Sequence, residues 1–252
     1  MGGKGTGDAF KINIESLAAY KLNMRVIHDA KNPDTSSELF GRKMDMPVFA
    51  APVSGTTLNM GGKFSEEEYI SWVISGCLKG GIIPMVGDTA VDSFLTTNLD
   101  QLKKQGGNGI AIIKPWENAN VIEKIKLAEK AGAFAIGMDI DACGLITLAL
   151  AGKPVMPKTV EEIKEIVQST KLPFILKGIM TSDEAKLAVE AGVSAIVVSN
   201  HGGRVLDQTP GVADVLEEIA KEVKGKVIIL ADGGVRSGAD ILKMIALGAD
   251  AV

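Results

Sequence analysis

From residue 46 onward the chain alternates short apolar runs with stretches whose apolar residues recur at helical spacing. The runs fall at 48–52, 82–86, 109–113, 135–140, 173–176, 195–198 and 227–231. None alternates with polar residues, so each reads as a strand buried on both faces, the habit of a parallel sheet. In the first helical stretch, 66–78, residues Tyr69, Ile70, Val73, Ile74 and Cys77 share one face. Thr159 and Thr181, each followed by early acids, open later helices as N-caps, while Gly132, Gly192 and Gly248 close others. Seven strand–helix units joined by right-handed crossovers predict an α/β protein of the parallel (β/α)8 barrel class. The eighth strand is expected to start at 249–252, and the rest of it, with its covering helix, is missing. Seven strands alone leave two open edges, so the sequence is expected to be a trimmed piece of a longer chain.

Before residue 46 the pattern is mixed. The Gly-rich opening, Met1 to Gly7, follows no strand and so lacks the context of a phosphate cradle; a flexible leader is expected. Residues 14–20 predict a turn or two of helix, and 39–43 a small hairpin. On this reading 1–45 is a leader and lead-in segment, and 46–252 is a single barrel domain.

Composition narrows the picture. A chain of 252 residues with 46% hydrophobic content can bury a barrel core. Its net charge of −4 and lack of a Lys/Arg run exclude the electrostatic footprint of a nucleic-acid binder. No apolar run approaches the roughly 18 residues of a membrane span, and the start lacks a signal-peptide core. Cys77 and Cys143 form neither a CxxC motif nor a Cys/His cluster, which fits a reducing cytoplasm and gives no support to a metal site.

In a parallel barrel, polar residues at the carboxyl ends of strands form the functional inventory. The sixth run ends in Ser199-Asn200-His201-Gly202-Gly203-Arg204-Val205-Leu206-Asp207, which puts a titratable imidazole near a guanidinium able to grip a carboxylate. The seventh ends in Asp232-Gly233-Gly234-Val235-Arg236 just before a helix, a pairing of free backbone N–H groups and helix dipole that favours a phosphate. The remaining strand ends carry Pro52-Val53-Ser54, Gly87-Asp88, Lys114-Pro115-Trp116, Asp139 with Asp141, and Lys177-Gly178. Base, carboxylate anchor and phosphate loop together describe a site for an organic acid beside a phosphorylated cofactor.

The segments 199–207, 176–178 and 232–236 closely resemble the FMN-dependent 2-hydroxy-acid dehydrogenase and oxidase family, which includes glycolate oxidase and lactate oxidase. The chain looks like a divergent, bacterial-type member. The resemblance implies FMN at the barrel mouth and oxidation of a lactate- or glycolate-like 2-hydroxy acid to a 2-oxo acid. Arg204 is then the carboxylate anchor, His201 takes the hydroxyl proton while the C2 hydrogen passes to flavin N5, and Asp139 orients and stabilises the protonated His201. Lys177 faces N1 and O2 of the flavin, with Pro52, Val53, Ser54, Ser199 and Gly202 around the ring system. Asp232 serves the ribityl chain, and Gly233, Gly234, Val235 and Arg236 the phosphate. Homo-oligomers are implied too. No motif specifies the electron acceptor.

Several positions depart from the family pattern. The loop after Asp141 lacks the usual second Arg and runs instead into the apolar stretch 145–150, a lid, an extra helix or a covered patch. Ile112 and Lys114 stand where relatives have Gln and Tyr, Gly87 replaces Ser, and Gly137 replaces Thr. Asp141 has no counterpart, and the amino-terminal helices that bring a substrate Tyr are expected to be absent. Two alternatives follow: an FMN barrel with other chemistry, such as an isomerase, or a flavin-binding barrel with a decayed substrate pocket.

Overall fold

In the computed structural model, which describes residues 3–153 and 155–252, the seven apolar runs form one parallel sheet. A helix, α1 (Asp8–Ala19), and a hairpin of β1 (Ser37–Leu39) with β2 (Arg42–Met44) precede it. Strands β3 (Phe49–Ala50), β4 (Ile83–Gly87), β5 (Ile110–Ile113), β6 (Ala135–Asp139), β7 (Phe174–Ile179), β8 (Ala195–Val198) and β9 (Ile228–Ala231) then pair in chain order. Between them run α2 (Thr56–Asn59), α3 (Glu66–Lys79), α4 (Asp92–Lys104), α5 (Asn118–Lys130), α6 (Ile146–Leu150), α7 (Val160–Gln168), α8 (Ser182–Glu190) and α9 (Val212–Val223), and α10 (Gly238–Ala246) follows β9.

The absence of alternation in the strands has a direct cause. Ile110 and Ile112 join an inner cluster with Met85, Ile175, Val197 and Leu230, whereas Ala111 and Ile113 join an outer cluster beneath the helices. Both faces of each strand are therefore apolar, as expected for strands lining a filled barrel. β3 is short because Pro47 and Pro52 bracket it and neither has an N–H to donate.

The seven-stranded sheet does not close on itself, but residues 250–252 lie between its edges. Asp250 N–H donates to Ile229 O at 2.6 Å and Ala231 N–H to Ala251 O at 3.1 Å. On the other edge Phe49 N–H donates to Val252 O at 2.8 Å and Val252 N–H to Pro47 O at 2.9 Å.

The amino-terminal stretch differs most from expectation. Its first two residues lie outside the described residues, and the rest makes specific contacts rather than trailing as a leader. Helix α1 begins at Asp8, six residues before the expected turn, and packs against α9 and the loop after β8. Lys4 donates its backbone N–H to Gly203 O and its ammonium to Val205 O at 2.8 Å and Gly144 O at 3.3 Å. Asp207 accepts from Thr6 N–H at 2.6 Å, Thr6 Oγ1 at 2.7 Å and Ala9 N–H at 3.3 Å. The hydroxyl of Thr6, assisted by these backbone donors, holds the Asp207 carboxyl down to about 2 from an ordinary 3.8. A depressed carboxyl stabilises the fold above its ordinary value and loses that contribution as pH falls through its folded value. Amide exchange at Thr6 and Ala9 should therefore accelerate between pH 4 and 2 ahead of the barrel core, and Asp207→Asn should produce the same loosening at neutral pH.

After β6 a tight turn, Ile140–Gly144, leads into α6. Leu145 and Leu148 are buried while Ile146 and Leu150 face solvent, so the apolar run forms an extra helix with one inward side.

Candidate functional site

A cavity of about 600 Å³ opens at the carboxyl ends of the strands. Pro52, Val53, Ser54, Asp139, Lys177, His201, Gly202 and Arg204 line it, as do Asp232, Gly233, Gly234, Val235 and Arg236. Ser199 is set back from this wall and is hydrogen-bonded to the Lys177 ammonium. Phe10 of α1, Leu58 of α2 and Leu148 of α6 add apolar surface. An amino-terminal helix thus does reach the mouth, although it brings Phe10 rather than a tyrosine.

His201, Gly202 and Gly203 adopt positive φ angles of 56°, 65° and 73° in succession. Non-glycine residues are uncommon in this region, although His is among those enriched there, and surrounding contacts fix it in place. Asn200 does so from below: its Oδ1 accepts from Gly203 N–H at 3.1 Å and from Asn13 Nδ2 at 2.8 Å. Asn13, which sequence reasoning missed, also accepts from Asn200 Nδ2 and from Val212 N–H.

The acidic neighbours of His201 are arranged differently from expectation. Its Nδ1 lies 3.0 Å from Asp141 Oδ1, whereas Asp139 is 4.0 Å from Nε2 and is ion-paired with Lys114. The carboxylate in hydrogen-bond contact with the imidazole is therefore Asp141, the residue without a family counterpart. Asp139, at the end of β6, sits on the cavity wall beside Lys114, while the following turn carries Asp141 back beneath the imidazole. Burial works against the Asp141 charge, but His201, Lys177 and Lys114 outweigh it and hold the carboxyl below its ordinary value.

Lys114 is buried. Its backbone is fixed through Asp88, which accepts from Lys114 N–H at 3.3 Å, Trp116 Nε1 at 2.6 Å and Lys124 Nζ at 3.2 Å. Burial raises the Asp88 carboxyl despite these donors. Arg204 is half-buried and donates to Asn59 Oδ1 at 3.0 Å; no carboxylate among the described residues pairs with it. Burial lowers its pKa and Asp139 opposes that shift, and a guanidinium remains charged in either case.

The cofactor end of the cavity has a matching set of donors. Lys177 pairs with Asp232 at 2.8 Å; burial opposes its charge, but Asp232, Asp141 and Asp139 prevail and raise its pKa. Among the described residues the N–H groups of Gly233, Gly234 and Val235 have no protein acceptor, and α10 starts immediately beyond them. Gly234 has φ 79°, and a Cβ there would strike the Asn13 carbonyl, so only glycine lets α1 and this loop meet. Free N–H groups, a helix N-terminus and Arg236 suit a phosphate, and Lys177 suits the electron-rich edge of a reduced flavin. The donor set therefore fits FMN.

A buried carboxylate shapes the opposite wall. Glu66, which begins α3, accepts from Ser54 Oγ at 2.5 Å, Gly55 N–H at 3.0 Å, Thr56 N–H at 2.8 Å and Asn98 Nδ2 at 3.2 Å. It fixes the loop carrying Pro52, Val53 and Ser54, and no sequence motif announced it. Glu66→Ala strands three buried donors, Ser54 Oγ and the N–H groups of Gly55 and Thr56, and should cost about 3 kcal/mol in denaturant unfolding.

Comparison with known proteins gives a consistent result. The sequence profile described as FMN-dependent dehydrogenase matches residues 1–149 and 145–252. A peroxisomal (S)-2-hydroxyacid oxidase of Arabidopsis thaliana is 52% identical over 277 residues, 95% of this chain and 73% of that protein. Human 2-hydroxyacid oxidase 1 is 29% identical over 283 residues, 95% of this chain and 74% of that protein. Among solved structures, mandelate oxidase with (S)-4-hydroxymandelic acid superposes with a TM-score of 0.84 at 27% identity, covering 99% of this chain and 78% of that one.

Proposed function

The chain belongs to the FMN-dependent dehydrogenase family, and from that premise we propose that it oxidises a small 2-hydroxy acid to the 2-oxo acid, with His201 as the base. The observation that carries this reading is an oriented imidazole sharing one cavity with a guanidinium that has no carboxylate partner among the described residues. Arg204 supplies the cation for the substrate carboxylate, and His201 takes the proton of the 2-hydroxyl. FMN, when bound, supplies the acceptor for the C2 hydrogen and its electron pair. Lys177 places positive charge beside the flavin, Asp232 serves the ribityl hydroxyls, and the loop from Gly233 to Arg236 holds the phosphate. Pro52, Val53, Ser54 and Gly202 would supply the lining for the ring system, with Ser199 supporting it through its hydrogen bond to Lys177.

The intact contact between His201 and its carboxylate supports catalysis over a decayed pocket. The carboxylate anchor supports an acid substrate over isomerase chemistry. Among the described residues no helix is long and apolar enough to cross a membrane. The cytoplasmic assignment rests on the two free cysteines, and a homo-oligomeric state on family resemblance.

Anaerobic mixing of the FMN-loaded protein with a panel of 2-hydroxy acids tests the proposal. Bleaching of the oxidised flavin band is expected; no bleaching with lactate, glycolate, 2-hydroxyisocaproate or mandelate would refute it.

A further inference from the structure

We propose that Asp141 and Lys114 are the positioning residues of the base: Asp141 fixes the tautomer of His201, and Lys114 offsets the Asp139 charge that faces Nε2. This rests on the reading of His201 as the base and adds how the base is kept ready.

A neutral imidazole has one N–H, and an ionised carboxylate accepts only. With Asp141 Oδ1 3.0 Å from Nδ1, the proton belongs on Nδ1 and the lone pair on Nε2. His201 but not Asp141 lines the main cavity, so Asp141 holds the ring from behind. Gly178 makes this possible. It has φ 103° at an irregularity in β7, and a Cβ there would collide with the carboxyl group of Asp141.

An imidazole flanked by two unpaired carboxylates stays protonated to higher pH, and a protonated ring has no lone pair for a hydroxyl proton. Asp139 Oδ2 is 4.0 Å from Nε2, so its charge faces the nitrogen that must carry the lone pair. The Lys114 ammonium is paired with Asp139, which becomes one end of a neutral pair. The charged groups around His201 come from five places: Lys114 beyond β5, Asp139 and Asp141 at and beyond β6, Lys177 on β7, Arg204 on its own loop, and Asp232 beyond β9. Three cations thus offset three anions, and losing Lys114 leaves an excess negative charge beside Nε2.

The chain has only two histidines, so imidazole 15N resonances of the FMN-loaded protein can be assigned with a His28→Asn variant. Wild-type His201 should show the Nδ1–H tautomer when neutral. Asp141→Asn should abolish that preference and slow flavin reduction at least tenfold with little change in KM, and Asp141→Glu should restore much of both. Asp139→Asn should keep the Nδ1–H tautomer. Lys114→Met should move the acidic limb of the flavin-reduction profile up by about one pH unit, with the imidazolium signals persisting to correspondingly higher pH. Lys114→Met with Asp139→Asn should move both back, which also controls for misfolding of the single variant. The proposal is overturned if Asp139→Asn rather than Asp141→Asn changes the tautomer, or if Lys114→Met leaves limb and resonances in place. Because the tautomer is read without turnover, failure of the oxidation reading would show separately, as a wild-type flavin that no substrate bleaches.

Discussion

His201→Asn is expected to slow reduction of the bound flavin by about a thousandfold, the range in which a positioned general base contributes. Asparagine suits this test for a backbone reason. Residue 201 has φ 56°, a region that Asn tolerates better than most side chains, so the loop should survive the change. Asn200, Asn13 and the Asp207 contacts hold the loop independently of the imidazole. The phosphate loop and Lys177 are untouched, so FMN should bind with unchanged affinity and spectrum. Rapid-mixing absorbance at the oxidised flavin band, under anaerobic conditions, reads the rate. A loss below tenfold with flavin still bound would mean that another group takes the hydroxyl proton.

How far the sequence leads to this site depends on the length scale of the interaction concerned. The barrel was legible because its determinants are local: β-branched runs apolar on both faces, capping residues such as Thr159, and glycines at helix ends. The members of the cavity wall were legible for the same reason, since strand ends in a parallel barrel gather at one mouth. Which aspartate meets His201 was not. That choice depends on the turn Ile140–Gly144, which brings Asp141 to the imidazole, and on Gly178, whose lack of a Cβ leaves room for the Asp141 carboxyl group. Asn13 was invisible for another reason, because it acts on Asn200 across 187 residues of sequence. The strap from Lys4 to Ala9 escaped in the same way: its glycines read as flexibility, but their partners Asp207 and Val205 lie at the far end of the chain.

Arg204→Met should lower kcat/KM by two to three orders of magnitude, about 3 to 4 kcal/mol, because a half-buried cation that binds a carboxylate cannot be replaced by water or a neutral side chain. The neighbourhood explains the size of the effect. Lys114 is committed to Asp139, Lys177 to Asp232 and Lys124 to Asp88, so among the described residues the cavity cations without a carboxylate partner are Arg204, beside His201, and Arg236, in the loop after β9 assigned to the phosphate. The Arg204 contact with Asn59 Oδ1 is neutral and sets the angle of the guanidinium without satisfying its charge. Arg204→Lys should recover only part of the loss, since an ammonium keeps the charge but not the planar fork. The loss should also track the substrate's own charge. Affinity for the 2-oxo acid should fall by a similar factor, while an uncharged ester analogue should lose much less activity. Equal losses for acid and ester would show that Arg204 shapes the loop rather than binding the carboxylate, and the anchor would then have to be sought at Lys114.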